Sequence, residues 1–191
     1  MVPSAHAAYH SHYRKQGGNT QQSTDTVRLN GVHDFDFLLG QWQVENQRLT
    51  QRLQGGDDWE SFSATQCSQA LPGGIGNYDD FMAATWRPGF VGLSLRIFNP
   101  QTQCWSIYWL DNQNGGLASN GVLQPPVVGR FHEGVGVFEG DDMLDGRPIR
   151  VRYTWRDVAS ATPCWEQSMS ANGGADWEVN WRMRFRRPDT K

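Results

Sequence analysis

From His33 onward the chain never runs far without a turn signal, and this constrains its fold more than any other feature. Gln54-Gly55-Gly56-Asp57-Asp58, Pro72-Gly73-Gly74, Asn99-Pro100, Asn114-Gly115-Gly116, Asp141-Asp142-Met143-Leu144-Asp145-Gly146 and Ala171-Asn172-Gly173-Gly174 all carry turn chemistry. Between them hardly any stretch has helical apolar spacing. The pattern predicts strands near 41–53, 58–70, 76–86, 90–98, 103–111, 115–122, 126–139, 147–158, 162–171 and 176–187. Antiparallel strands in such a row predict an all-β chain, a single up-and-down β-barrel of about 9–10 strands. The one helical candidate is a single turn over Phe35 to Leu39, which leads into Gly40-Gln41-Trp42 and would close the barrel floor. The barrel domain is expected over 31–188. Residues 1–30, polar and Gly-, Gln- and Ser-rich, read as a flexible tail with three histidines, His6, His10 and His12.

Residues two apart in a strand share a face, so alternation divides inside from outside. Trp105, Ile107 and Trp109 fall on one face, as do Ile149, Val151, Tyr153 and Trp155, then Trp165, Gln167 and Met169, and finally Trp177, Val179, Trp181, Met183 and Phe185. These are the expected interior faces. About eight strands already enclose a space that side chains can fill, so about ten leave room for a cavity open at one end. The expected ligand-binding residues are Trp42, Trp109, Tyr153, Trp155, Gln167 and Trp181, with Trp42 at the floor against the ligand's buried end. Arg96, Arg152, Glu166 and Asn180 have the opposite parity and read as an exposed charge ladder. Were they inside, they would form a buried ionic site, because Arg and Glu in low dielectric shift each other's proton affinity.

Composition excludes several functions. A net charge of −3 provides no positive field for nucleic acid, and no apolar run is long enough to span a membrane. Cys67, Cys104 and Cys164 are odd in number and widely spaced, which predicts reduced, buried thiols and a cytoplasmic protein rather than a disulfide framework or zinc site. There is no Gly-x-Ser-x-Gly elbow, phosphate-binding loop, His-Glu-x-x-His or helix-opening dinucleotide fingerprint. Gly134-Val135-Gly136-Val137-Phe138-Glu139-Gly140 instead alternates glycine within a strand, where it permits a bend or close packing. The acidic pairs Asp57-Asp58, Asp79-Asp80 and Asp141-Asp142 read as solvated turn residues. His33 and His132 are the only histidines after the tail, and each reads as a surface residue. No cofactor and no metal are expected.

Phe35-Asp36-Phe37-Leu38-Leu39-Gly40-Gln41-Trp42, Leu71-Pro72-Gly73-Gly74-Ile75-Gly76-Asn77, Trp105-Ser106-Ile107-Tyr108-Trp109, Trp165-Glu166-Gln167 and Asn180-Trp181 together resemble a bacterial protein family of unknown function. The resemblance covers roughly residues 33–186 and implies a calycin-like barrel, similar to lipocalins and nitrobindins. Haem binding of the nitrobindin kind would need an inward histidine. His132 is the only candidate, and Glu133-Gly134 beside it reads as a turn.

The expected function is binding of a small hydrophobic or aromatic ligand inside the barrel. The alternative is a cofactor-independent isomerase, cyclase or lyase using the same cavity, with Glu166 and Arg152, or Asp111 and Tyr108, as acid and base. Asp111, at a strand end, equally suits a turn cap. A homodimer through an outer sheet face is a further expectation, with Phe90, Phe98 and Tyr108 as the residues concerned.

Overall fold

A computed structural model describes residues 31–113 and 115–189; the expected tail lies outside the described residues. Ten antiparallel strands close into one barrel: β1 (Gly40–Leu49), β2 (Trp59–Ala70), β3 (Gly76–Met82), β4 (Val91–Asn99), β5 (Cys104–Asp111), β6 (Val127–His132), β7 (Val135–Leu144), β8 (Arg147–Arg156), β9 (Cys164–Ser170) and β10 (Glu178–Arg186). Each strand pairs with its neighbours in sequence, and β1 with β10 completes the ring. The helical content of the described residues is two 3-10 turns, Asp36–Leu38 and Pro72–Gly74. Among the described residues, no helix is long and apolar enough to cross a membrane.

The strand count agrees with expectation only because two differences cancel. The segment expected as one strand over 126–139 is a hairpin, β6 and β7, broken where Glu133 and Gly134 both take positive φ (50° and 79°). Two such residues in succession give the turn that matches strand twist, at the Glu133-Gly134 pair that reads as a turn beside His132. The segment expected as a strand over 115–122 is a loop held by two isolated bridges, Asp111 to Gly115 and Leu117 to Leu123. As a result β5 and β6 share only three residue pairs, Trp105 with Gly129, Ser106 with Val128 and Ile107 with Val127, whereas β7 and β8 share nine.

The floor is built by the segment preceding β1. Phe35, fully buried, projects into the barrel and meets Trp105 and Phe131 edge-on, at centroid distances of 4.9 and 5.0 Å, with Phe138 and Trp155 farther round the ring. Backbone bonds from Asp36, Leu38 and Leu39 back to His33, Phe35 and Asp36 hold this turn. Two indoles then fasten it to the wall: Trp42 donates to the Leu38 carbonyl at 2.7 Å and Trp105 to the Gly31 carbonyl at 3.0 Å. Gly136 makes the close approach possible, since a Cβ there would stand 2.7 Å from the Phe131 ring.

One β-bulge corrects the expected parity. In β10, Val179 lies opposite Ser168 but Trp181 lies opposite Gln167, so Asn180 is an extra residue and the face reverses across it. Trp181, Met183 and Phe185 are buried within the barrel as expected. Trp177 and Val179 are therefore displaced from the interior face, and Trp177 stacks on the outward Arg152 guanidinium at 3.8 Å. The three cysteines are free and half-buried rather than buried. Phe90 and Phe98 are both buried, which leaves Tyr108 alone of the proposed dimer residues partly exposed.

Replacing the floor residue, Phe35→Ala, is expected to lower the unfolding free energy by about 3–5 kcal/mol. Urea denaturation measures it; a loss below about 1 kcal/mol would mean that the floor carries little of the core.

Candidate functional site

Above the floor the wall side chains fail to meet, and a cavity of about 290 Å³ remains. Trp109, Trp165, Trp181 and Phe81 supply much of its apolar lining. These rings hold one another: Trp181 lies 5.9 to 6.4 Å from Trp165, Phe81 and Trp109. Trp109 lies across Gly92, where a Cβ would stand 2.3 Å from the indole. At the far end the β3–β4 loop turns inward, placing Trp86 parallel to Phe62 at 4.7 Å and Phe90 beside it.

Five of the six expected ligand-binding residues, Trp109, Tyr153, Trp155, Gln167 and Trp181, line this cavity together. Trp42 does not. It belongs to the floor, packed edge-on against Phe185 at 5.9 Å with the Arg187 guanidinium over its other side at 3.6 Å.

The polar groups of the cup contain the main departures from expectation. Arg96, expected on the outer ladder, faces inward and is 4% exposed. Asp79, expected as a solvated turn residue, is fully buried on the adjacent strand. Arg96 Nη1 donates to Asn77 Oδ1 at 3.0 Å and stands 2.6 Å from Asp79 Oδ2. That second contact is an ion pair without hydrogen-bond alignment: Asp79 Oδ2 and Arg96 Nε both lack a hydrogen-bonding partner. The other Asp79 oxygen accepts the Ser94 backbone N–H at 3.3 Å. The guanidinium rests over the Phe35 ring at 5.4 Å, so the ion pair lies just above the floor. Asn180, the second residue expected outside, is buried at the bulge and accepts from Gln167 Nε2 at 2.8 Å.

The other two members of that ladder face outward as expected. Arg152 is joined to Glu139 at 2.7 Å, while Glu166 stands between Arg156 and Arg182 at 3.9 and 3.5 Å. The acid–base pairs drawn from sequence are therefore not gathered in the cup. Glu166 and Arg152 stand on the outer face in separate ion pairs, and Tyr108 has the outward parity of β5. Asp111 lines the rim and accepts the Gln113 backbone N–H at 2.9 Å, the geometry of a turn cap.

Tyr153 is the inward titratable group with the clearest perturbation. Burial pushes its phenol well above the usual tyrosine range, Asp142 adds to the shift and Arg96 opposes it. Its ring meets Trp165 at 5.0 Å, and among the described residues its hydroxyl makes no hydrogen bond. His33 is exposed and bonded to Asp36 at 2.8 Å, and His132 is 84% exposed, so neither reaches the cup. Among the described residues no three His, Cys, Asp or Glu side chains are placed to hold a metal ion.

The residues that sequence reasoning missed are Arg48, Asp79, Phe81, Trp86 and Arg87. Two of these carried a signal: Arg48 continues the alternation of Trp42, Val44 and Asn46, and Asp79 lies between Asn77 and Phe81. Trp86 and Arg87 belong to a loop, where periodicity says nothing.

Arg96→Leu leaves Asp79 charged, buried and alone, and is expected to cost about 3–5 kcal/mol, most of it recovered when Asp79→Leu is added; chemical denaturation of both variants measures this. Tyr153 provides a pH test. Above about pH 10 the unfolded chain releases this proton while the folded protein retains it, so stability falls as pH rises. In Tyr153→Phe that alkaline loss is expected to be smaller, as read from thermal midpoints across the range. Compared with models of known protein families and with curated proteins, the chain matches none of them.

Proposed function

We propose that the protein binds a small apolar or aromatic molecule inside its barrel, in the manner of calycin-type carriers. The observation that supports this most is a cavity of about 290 Å³ bounded largely by aromatic rings and lined also by Tyr153, whose hydroxyl makes no hydrogen bond among the described residues. Interlocked rings keep such a space open, and a few polar groups in an apolar wall orient whatever fills it. A hydroxyl on the cavity wall without a protein partner favours a ligand that can bond to it.

A second reading, cofactor-independent isomerisation, cyclisation or elimination, is favoured by Tyr153 and the neighbouring Arg96–Asp79 pair. A phenol held protonated near a guanidinium is suited to donate a hydrogen bond to a substrate oxygen that gains charge. On this reading Tyr153 is the hydrogen-bond donor to the substrate, with Asp111 at the rim and Glu166, Arg152 and Tyr108 outside the cup.

Titration with naphthalene-based probes is expected to quench tryptophan fluorescence saturably with one site. Tyr153→Phe should weaken an oxygen-bearing probe about threefold to tenfold, the value of one neutral hydrogen bond. Unchanged fluorescence across a broad set of aromatic compounds would overturn the binding reading. Recovery of a chemically altered compound after incubation would favour the enzyme.

A further inference from the structure

The open end of the cup concentrates positive charge on one side. Arg48, on the inner face of β1, is 11% exposed and lies between two indoles, 5.0 Å from the Trp86 ring and 5.3 Å from Trp181. Its Nη1 reaches Glu60 at 3.3 Å, but its Nε is buried without an acceptor. Arg52 and Arg87 line the same cavity. Arg87 lies over Trp86 at 4.1 Å, and its polar partner among the described residues is the neutral Gln113 amide, at 3.5 Å. Arg52 has no hydrogen-bonding or ion-pair partner among the described residues.

Among the described residues Glu60 is the one carboxylate paired with these three guanidinium groups. Burial and the nearness of Arg52 and Arg87 all work against the charge on Arg48, and Glu60 offsets only part of that. The lining carboxylates, Asp111 and Asp142, stand on β5 and β7, across the barrel from β1, and each accepts a backbone N–H, from Gln113 and Met143. A desolvated guanidinium with an idle donor beside two further cations is costly unless an anion arrives. Planar guanidinium groups present paired donors that match a carboxylate.

We infer that the ligand of the cup is an aromatic carboxylate, its acid group held at the mouth by Arg48, Arg52 and Arg87 and its ring among Trp86, Trp109 and Trp181. This rests on the binding reading above and adds the ligand's charge and direction. The ring goes in first and the acid group stays at the rim. The deeper Arg96 keeps Asp79 as its counter-ion and is not required to take the acid.

The test compares 2-naphthoate, 2-naphthamide and 2-naphthylmethylammonium by calorimetry and tryptophan quenching at two ionic strengths. Naphthoate is expected to bind at least about tenfold tighter than the amide, the preference shrinking with added salt. Arg52→Gln, at a half-buried loop position that tolerates change, and Arg48→Gln should each remove about tenfold of naphthoate affinity and leave naphthamide within about twofold. Arg184→Gln, the same charge change on the outer face of β10, should alter neither. Equal affinity for the acid and the amide would overturn the inference about the acid group and leave the cup as a binding site. Tighter binding of the ammonium would overturn it in favour of Asp111 and Asp142. Saturable binding by none of the three would overturn both the inference and the reading beneath it.

Discussion

Everything above the floor depends on Phe35 remaining in the ring of aromatic side chains that receives it. Ten strands make a barrel too wide for its own wall residues to fill, so a cup forms only where a side chain from outside the sheet closes one end. Phe35 does this from a single 3-10 turn, and the indole bonds of Trp42 and Trp105 to Leu38 and Gly31 keep that turn from lifting away. The remaining void is therefore a consequence of where the closure stops. Rings fill the lower barrel, and the same type of side chain lines the space above it.

The boundary between closed floor and open cup carries an ion pair. Arg96 rests on the Phe35 ring and against Asp79, which gives the base of the cavity charge without net charge. Buried pairs of this kind contribute little to stability compared with apolar residues of the same shape, yet are costly to break on one side. The mouth is different, because Arg48, Arg52 and Arg87 are matched there only in part by Glu60. The cup is thus electrostatically settled at its base and unsettled at its rim.

Turn chemistry and strand alternation made the architecture legible, and with it the aromatic lining. Tyr153, Trp155, Trp165, Gln167, Trp109 and Trp181 follow directly from period-two spacing, and all line the cavity. What escaped was whatever broke the rule that inward means apolar. Asn77, Asp79, Ser94 and Arg96 occupy inward positions on two adjacent strands and partner one another there in part, a pairing that neither strand reveals by itself. The bulge at Asn180 reverses parity within β10 without any glycine or proline to mark it, which is why Trp177 was expected inside. The hairpin at Glu133-Gly134 did carry a turn signal, but the alternation on either side of it reads as one continuous strand.

The short ladder between β5 and β6 makes the wall unequal around its circumference. Three residue pairs join those strands near the floor, and above Ile107 the gap is bridged by the loop that follows β5. That loop and the strands beside it border a second hollow of about 470 Å³, which shares Ile107, Trp109 and Tyr153 with the cup. A closed cylinder resists deformation all round, whereas one with a short ladder can part along a single line. In this barrel that line lies beside the second hollow, so Trp109 and Tyr153, which line both spaces, stand next to the least-paired part of the wall.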